Sequence, residues 1–171
     1  MIVLKKASSG DLEALQQIGT ETFYETFAKH NSAEEMRKYL AESFSSEKLL
    51  TELNNQDSQF FMAWEDENPV GYLKINSGEA QTELQDEISL EIERIYVKSS
   101  HHGKKVGQLL YEKALEVAIQ QKKKYIWLGV WEENKRAVNF YIKNGFTEFD
   151  KHIFRLGNDE QTDLMMKKFL E

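Results

Sequence analysis

The stretch Ile88-Ser89-Leu90-Glu91-Ile92-Glu93-Arg94-Ile95-Tyr96-Val97, running on through Lys98-Ser99-Ser100-His101-His102-Gly103-Lys104-Lys105-Val106-Gly107-Gln108 to Val117, decides the fold. Its opening alternates as a strand does. Ile88, Leu90, Ile92, Arg94 and Tyr96 are expected on one face, and Ser89, Glu91, Glu93, Ile95 and Val97 on the other. Two carboxylates then share a face with two aliphatics, an odd pattern for a strand apolar enough to be central. Beyond the Gly103 turn, apolar or small residues at 106, 109, 110, 114, 117 and 118 give the spacing of one buried helical face, interrupted only by Lys113.

A helix that opens directly after such a turn presents unpaired backbone N–H groups and the positive end of its dipole, a ready site for phosphate. Gly103 and Gly107 would let that backbone approach a ligand closely. The spacing fits neither the dinucleotide fingerprint nor the phosphate loop that ends in Lys and Ser or Thr. A glycine pair at a strand-to-helix turn also has a purely conformational explanation, and this stretch alone leaves both open.

A second segment narrows the choice: Trp127-Leu128-Gly129-Val130-Trp131-Glu132-Glu133-Asn134, then Arg136-Ala137-Val138-Asn139-Phe140-Tyr141-Ile142-Lys143-Asn144-Gly145-Phe146. Together the two segments resemble the GNAT N-acetyltransferase superfamily, which moves an acetyl group from acetyl-CoA to an amine. The resemblance rests on a strand ending in Tyr-Val, a Gly-x-x-x-Gly turn opening a helix, and an Asn, Ala, Phe-Tyr, Gly-Phe series. It covers residues 88–147. It implies an α/β (α+β) GNAT fold: a mixed, mostly antiparallel sheet of about seven strands, splayed between the fourth and fifth and flanked by helices on both faces.

The same resemblance implies acetyl-CoA as the cofactor, leaving as CoA. Ile95, Tyr96 and Val97 would pair with its pantetheine arm. His102, Gly103, Lys104, Lys105, Val106, Gly107 and Gln108 would hold its pyrophosphate, with Asn134 and Lys143 as further contacts. In the family a Gln or Arg usually leads the phosphate turn and a Gly sits two residues before the last Gly. Here those places hold His102 and Lys105. Backbone contacts to pyrophosphate are expected to survive the change.

The chain has 171 residues, the size of one domain spanning 1–171 and large enough to bury roughly two-thirds of its unfolded surface. No apolar run approaches membrane-spanning length and the sequence shows no charged-then-apolar leader pattern, so neither a membrane span nor export is expected. Absence of cysteine excludes disulfides, thiol nucleophiles and thiolate metal sites, and a cytoplasmic location is expected. The net charge of −7 argues against a nucleic-acid surface. It would also repel CoA, but screening confines that effect to about 8–10 Å, so the local Lys104 and Lys105 should decide. The Lys122-Lys123-Lys124 run reads as cations at a helix C-terminus. No membrane partner is expected, and a homodimer is what the family implies.

Along the rest of the chain, Met1 to Ala7 reads as a strand, and Leu12, Leu15, Ile18, Phe23 and Phe27 form a helical stripe. Helices are expected over 33–42 and 47–53, and a hairpin over 59–76 around Asp66-Glu67-Asn68-Pro69. A final hairpin should join 146–155 to 163–170. The fragment Thr22-Phe23-Tyr24-Glu25-Thr26-Phe27, followed by Asn31, looks like the opening helices of PaiA-type members, which acetylate polyamines. There these helices roof the acceptor site, making Tyr24 and Phe27 substrate-binding candidates. Core packing is the competing explanation for both.

The acceptor would be a small cationic amine, such as spermidine or spermine. Only a neutral amine attacks a thioester, and stripping a proton from a nitrogen of pKa near 10.4 at pH 7 costs about 4.6 kcal/mol. A positioned base is therefore useful. Glu93 is the first candidate, four residues before Val97, where some polyamine-acetylating relatives carry a carboxylate. Glu91, about 6.7 Å away along the strand, could hold a second ammonium or act through water. Pairing with Lys or Arg is the alternative for both. Tyr141 matches the family tyrosine that donates to the departing thiolate.

The loop carboxylates Glu79, Glu83, Asp86 and Glu87 would guide a cation inward. His30, His101, His102 and His152 show no metal-ligand spacing with carboxylates, and no metal site is expected. Rival readings are a protein-lysine, N-terminal or aminoglycoside acetyltransferase on the same fold, and a catalytically idle CoA-binding module.

Overall fold

The computed structural model describes residues 1–171. Strand β1 (Ile2–Lys6) leads into three helices, α1 (Leu12–Phe27), α2 (Ala33–Ser43) and α3 (Ser46–Leu53). Serines start the second and third: Ser32 accepts from the Glu35 N–H and Ser45 from the Lys48 N–H. A hairpin of β2 (Ser58–Glu65) and β3 (Asn68–Ser77) follows, then β4 (Ser89–Val97), α4 (Val106–Gln120), β5 (Tyr125–Trp131) and α5 (Lys135–Lys143). The hairpin of β6 (Thr147–Leu156) and β7 (Asp159–Phe169) ends the chain.

The strands form one sheet in the order β1-β2-β3-β4-β5-β7-β6. Every neighbouring pair is antiparallel except β4 and β5, which α4 joins as a crossover and which therefore run parallel. That parallel ladder is short. Ser89–Ile92 pairs with Tyr125–Leu128 and pairing stops there, although β4 continues to Val97 and β5 to Trp131. The two strands part beyond this point, as the family resemblance implies.

The alternation expected along β4 holds only for its first half. Ile92 lies opposite Ile75 while Arg94 lies opposite Lys74, so Glu93 is an extra residue, a β-bulge. The bulge reverses the faces of everything after it. Leu90, Ile92, Ile95 and Val97 all pack into the core beneath α4, while Tyr96 joins the core under α1, α2 and α3. Glu91 and Glu93 do share a side, since both accept from Asn76 Nδ2, but their companions are Arg94 and Tyr96. The odd pairing of carboxylates with aliphatics is thereby removed.

Two cores result, one on each face of the sheet. On α4 the buried residues are Val106, Leu110, Tyr111, Ala114, Val117 and Ala118. Tyr111 takes an inward position, its hydroxyl accepting from Lys168 Nζ at 3.0 Å, while Leu109, expected inside, is largely exposed. Lys113 does not break the stripe: its ammonium sits over the Phe61 ring, 5.7 Å from the centroid. On the opposite face Leu15, Ile18, Phe23 and Phe27 of α1 pack as the sequence stripe indicates.

The loop between β3 and β4 is pinned to the sheet. Buried Gln81 accepts from the Trp127 indole at 2.6 Å and donates to the Asp86 carbonyl at 2.9 Å, with Ser89 Oγ 2.9 Å from its Oε1. Asp86 in turn accepts from Ser89 Oγ at 2.5 Å and Tyr125 OH at 2.6 Å. Burial acts to raise its carboxyl pKa, but these hydrogen bonds outweigh it and hold the group below the ordinary value. Asp86 is thus a structural anchor as well as an anion, and it places Thr82 and Glu83 beside the splayed strands.

Helix α4 rests close on the sheet at Gly71, where an added Cβ would lie 2.9 Å from the Tyr96 carbonyl oxygen and 3.3 Å from Leu110 Cδ1. Gly71→Ala should therefore destabilise the protein by about 1–3 kcal/mol, read from urea unfolding. An unchanged midpoint would mean the contact is looser than described.

Candidate active site

Where β4 and β5 part, a cleft of about 300 Å³ opens. Residues of three elements line it: Phe27 from α1, Glu91, Glu93, Ile95 and Tyr96 from β4, Asn134 from the start of α5, and Tyr141 from its interior. These are seven of the residues singled out from the sequence. Tyr24, the other roof candidate, is 56% exposed and lies outside the cleft. Phe27 is buried and shared between the two explanations, packing against Trp131 (centroids 5.3 Å apart) and Phe154 (5.9 Å) while lining the cleft.

The two glutamates have different surroundings. Glu93 faces Lys74 Nζ at 2.8 Å and Arg94 Nη2 at 3.3 Å, and accepts from Asn76 Nδ2 at 2.9 Å. The same two cations are shared with Glu52 of α3, 2.5 Å from Lys74 Nζ and 3.6 Å from Arg94 Nη1. Burial would raise the Glu93 pKa, but Arg94 and Lys74 more than offset it and hold it below the ordinary value. Paired in this way, it is a poor proton acceptor.

Glu91 is only 3% exposed and forms no ion pair. It accepts from Asn76 Nδ2 at 3.0 Å, from the Thr82 N–H at 2.8 Å and from Thr82 Oγ1 at 2.5 Å. Burial pushes its carboxyl pKa up, the three hydrogen bonds oppose this, and the nearby charge of Glu93 adds to the rise. Three carboxylates here face two cations, and Glu91 is the one left without a partner.

Tyr141 sits across the cleft, buried, and burial alone pushes its phenol pKa well up. Such a phenol keeps its proton at neutral pH and can donate a hydrogen bond. Asn134 accepts from the Ala137 N–H at 3.2 Å and so caps the helix that carries Tyr141.

A second group of titratable side chains lines another wall, and of its members the sequence singled out only Glu83, as a guiding carboxylate. His152 of β6 lies opposite Asp163 of β7 in the ladder. Its Nε2 is 3.4 Å from Asp163 Oδ2 and its Nδ1 3.0 Å from Glu83 Oε2. Burial raises the Asp163 pKa, with His152 opposing and Glu83 adding. Only the register of the last hairpin, together with the anchored loop, brings these residues together.

The remaining candidates lie outside the cleft: Val97 at the end of β4, packed against the core, and the others on the turn into α4 and the end of α5. Gly103 (φ 80°) and Lys105 (φ 64°) adopt the left-handed conformation. Lys105 thus occupies, at a backbone cost of roughly 1–2 kcal/mol, a position where the resemblance implies glycine. The N–H groups of Val106, Gly107 and Gln108 open α4 with no carbonyl four residues back to receive them. Gly107 keeps its surroundings open, since an added Cβ would meet nothing nearer than Val97 Cγ2 at 3.8 Å.

Lys104, Lys105 and Lys143 are exposed. Two side chains expected to face the cofactor are engaged elsewhere. His102 Nε2 lies 2.9 Å from the Val97 carbonyl, and Gln108 donates to Asn144 Oδ1 at 3.1 Å. What the turn offers an anion is therefore backbone amides and two lysines, donors suited to a pyrophosphate. The turn is tied to the acceptor side by α1: Glu21 Oε2 is 3.1 Å from Lys98 Nζ, and Glu25 accepts from the Ser99 N–H at 3.2 Å.

No helix is long and apolar enough to cross a membrane. Residues 13–146 match the model of the acetyltransferase (GNAT) family. An uncharacterized N-acetyltransferase of Lactobacillus delbrueckii subsp. lactis is 41% identical over 169 residues, 99% of this chain and 98% of that protein. A spermidine N(1)-acetyltransferase of Thermoplasma acidophilum is 31% identical over 99% of this chain and 98% of its own. The crystal structure of a PaiA N-acetyltransferase from Thermoplasma acidophilum in complex with coenzyme A superposes with a TM-score of 0.82, at 28% identity over 99% of each chain. With its fold, its splayed strands and relatives aligned end to end, the chain belongs to the acetyltransferase (GNAT) family and is an N-acetyltransferase that uses acetyl-CoA.

Proposed function

We propose that the chain acetylates a primary amine of a polyamine such as spermidine or spermine, by direct attack of the amine within a ternary complex. The observation that carries this reading is Glu91, a buried carboxylate without a cation in a cleft that also has aromatic walls. A buried anion is costly unless a positive charge meets it, and an incoming ammonium supplies that charge. Aromatic faces favour the same ligand. The similarity to a protein named as a spermidine N(1)-acetyltransferase supports the same class of acceptor.

In this reading Glu91, not Glu93, takes the proton. The ion pairs around Glu93 hold it anionic, whereas the raised pKa of Glu91 brings it nearer the working pH, where a general base is most effective. Glu93, Lys74 and Arg94 fix the Asn76 amide that donates to both carboxylates. Acetyl-CoA supplies an activated thioester, its pyrophosphate received by the amides of 106–108 with Lys104 and Lys105. Tyr141 donates a hydrogen bond to the sulfur as charge develops. Full proton transfer from a phenol above pKa 10 to a thiolate near 8.5 would be uphill by about 2 kcal/mol or more.

Turnover is tested by mixing protein and acetyl-CoA with spermidine, spermine, aminoglycosides and peptides bearing lysine or a free N-terminus, and following thiol release. Spermidine or spermine should be preferred. Turnover confined to peptides or aminoglycosides would refute the polyamine reading, and CoA binding without turnover on any amine would refute the assignment of Glu91.

The pH dependence separates the two glutamates. Activity should fall as pH drops through the Glu91 pKa, above the ordinary carboxylate range. Glu91→Gln should remove that acidic limb and lower kcat by about 10²–10⁴-fold. Glu93→Gln removes a negative neighbour and leaves Lys74 and Arg94 in place, so the limb should persist and move to lower pH. The opposite pattern would return the base to Glu93. Tyr141→Phe deletes one hydroxyl and should lower kcat by at least about tenfold with KM little changed, as for a lost transition-state donor. Full kcat would exclude Tyr141 from this role.

A further inference from the structure

Another wall of the cleft carries two carboxylates with an imidazole of the protein standing between them. His152 stands between Asp163 and Glu83, 3.4 Å and 3.0 Å away. The ring packs over Gly129, where an added Cβ would lie 3.3 Å from His152 Cε1. Gly129 belongs to β5 just past its last pairing with β4, so its missing side chain leaves the cleft open there. Asp163 lies opposite Trp131 in the ladder, and Trp131 stacks on Phe27, so aromatic surface adjoins the carboxylates.

Neither Phe27, Trp131 nor Phe154 carries one of the protein's own cations over its ring. The cation–π contacts of the chain lie at Phe44, Phe60, Phe61, Tyr111, Tyr125, Phe149 and Phe169.

The group is joined to the reacting end through the anchored loop. Thr82 holds Glu91 by its N–H and its hydroxyl, and the next residue, Glu83, has its Oε2 3.0 Å from His152 Nδ1. Consecutive residues thus contact the two groups, and Glu91 and Asp163 line the same cleft. A four-carbon diamine spans roughly two residues of extended chain, enough to bridge such sites.

We propose that Asp163 and Glu83 bind the second cationic nitrogen of the acceptor, which takes the place of the His152 imidazole between them, and that this exchange selects acceptors with two cationic nitrogens over those with one. His152 is then a specificity-determining residue. It stays between the two carboxylates while the cleft is free of acceptor or holds a monoamine, and it gives way only to a second nitrogen long enough in reach to compete for them. The inference rests on the acceptor being an amine.

The test compares 1,4-diaminobutane with n-butylamine, which differ only in the second nitrogen, at saturating acetyl-CoA. In the natural protein the diamine should have the lower KM. Asp163→Asn and Glu83→Gln should each raise the diamine KM about tenfold, as for a lost charge-assisted hydrogen bond, with kcat within about twofold. The butylamine KM should not move. His152→Ala frees both carboxylates and should lower the diamine KM while leaving butylamine unchanged.

Equal changes for the two amines, or a loss of kcat with KM intact, would overturn the inference and leave a purely structural role. If Asp163→Asn does not fold, Glu83→Gln decides alone, since the Glu83 side chain is 40% exposed in a loop. Failure of the natural protein to acetylate any amine would strike at the proposed function. Amine turnover indifferent to these substitutions would strike at this inference only.

Discussion

A parallel ladder that ends after Ile92 and Leu128 is the constraint on which the site depends. Beyond it the edge of β4 facing β5 has no strand to bond, and unpaired backbone groups inside a protein need a partner. The open edge is what gives a linear amide chain somewhere to lie. The bulge at Glu93 falls at this same level of β4. It turns Ile95 and Val97 into the core under α4 and so leaves the opposite face to Glu91, Glu93, Arg94 and Tyr96. Divergence of the strands and segregation of charge therefore come from adjacent positions in one strand.

Charge burial explains the rest of the arrangement. Lys74, Arg94, Glu52 and Glu93 form a compact, nearly neutral group whose members desolvate together. Glu91 stands just outside it, sharing only the Asn76 amide. Its three hydrogen bonds keep the carboxylate tolerable in a buried place without supplying a countercharge. The result is a group held in geometry and left electrostatically unsatisfied, a useful state for meeting a cation.

Much of this was legible in the sequence, and the parts that were not share a cause. Short-range pattern placed β4, the Gly103 turn, the α4 face and the α1 stripe, because each depends on residues near one another in the chain. A single inserted residue in β4 has no signature in alternating hydrophobicity, so the faces of Ile92 and Arg94 could not be separated without the register opposite Lys74 and Ile75. Tyr111 replaced Leu109 inside because its ring fills space against Phe140 and Phe146, a match visible only in three dimensions. Choosing between Glu91 and Glu93 needed Lys74 and Glu52, and finding His152 needed Asp163 and Glu83. Asp86 looked like surface charge until Gln81, Ser89 and Tyr125 surrounded it.

The left-handed Lys105 has a thermodynamic corollary. The ligand-free turn carries backbone strain and two ammonium groups beside the positive pole of α4, and each raises the free energy of the unoccupied protein. A multivalent anion docking there relieves the repulsion and leaves the strain unchanged. By mass action, folding and nucleotide occupancy are then linked, with the gain growing as the logarithm of ligand concentration over its dissociation constant. A protein of this design is at its least stable with the turn empty, so its resistance to unfolding would track the combined supply of CoA and its thioesters, which carry the same pyrophosphate.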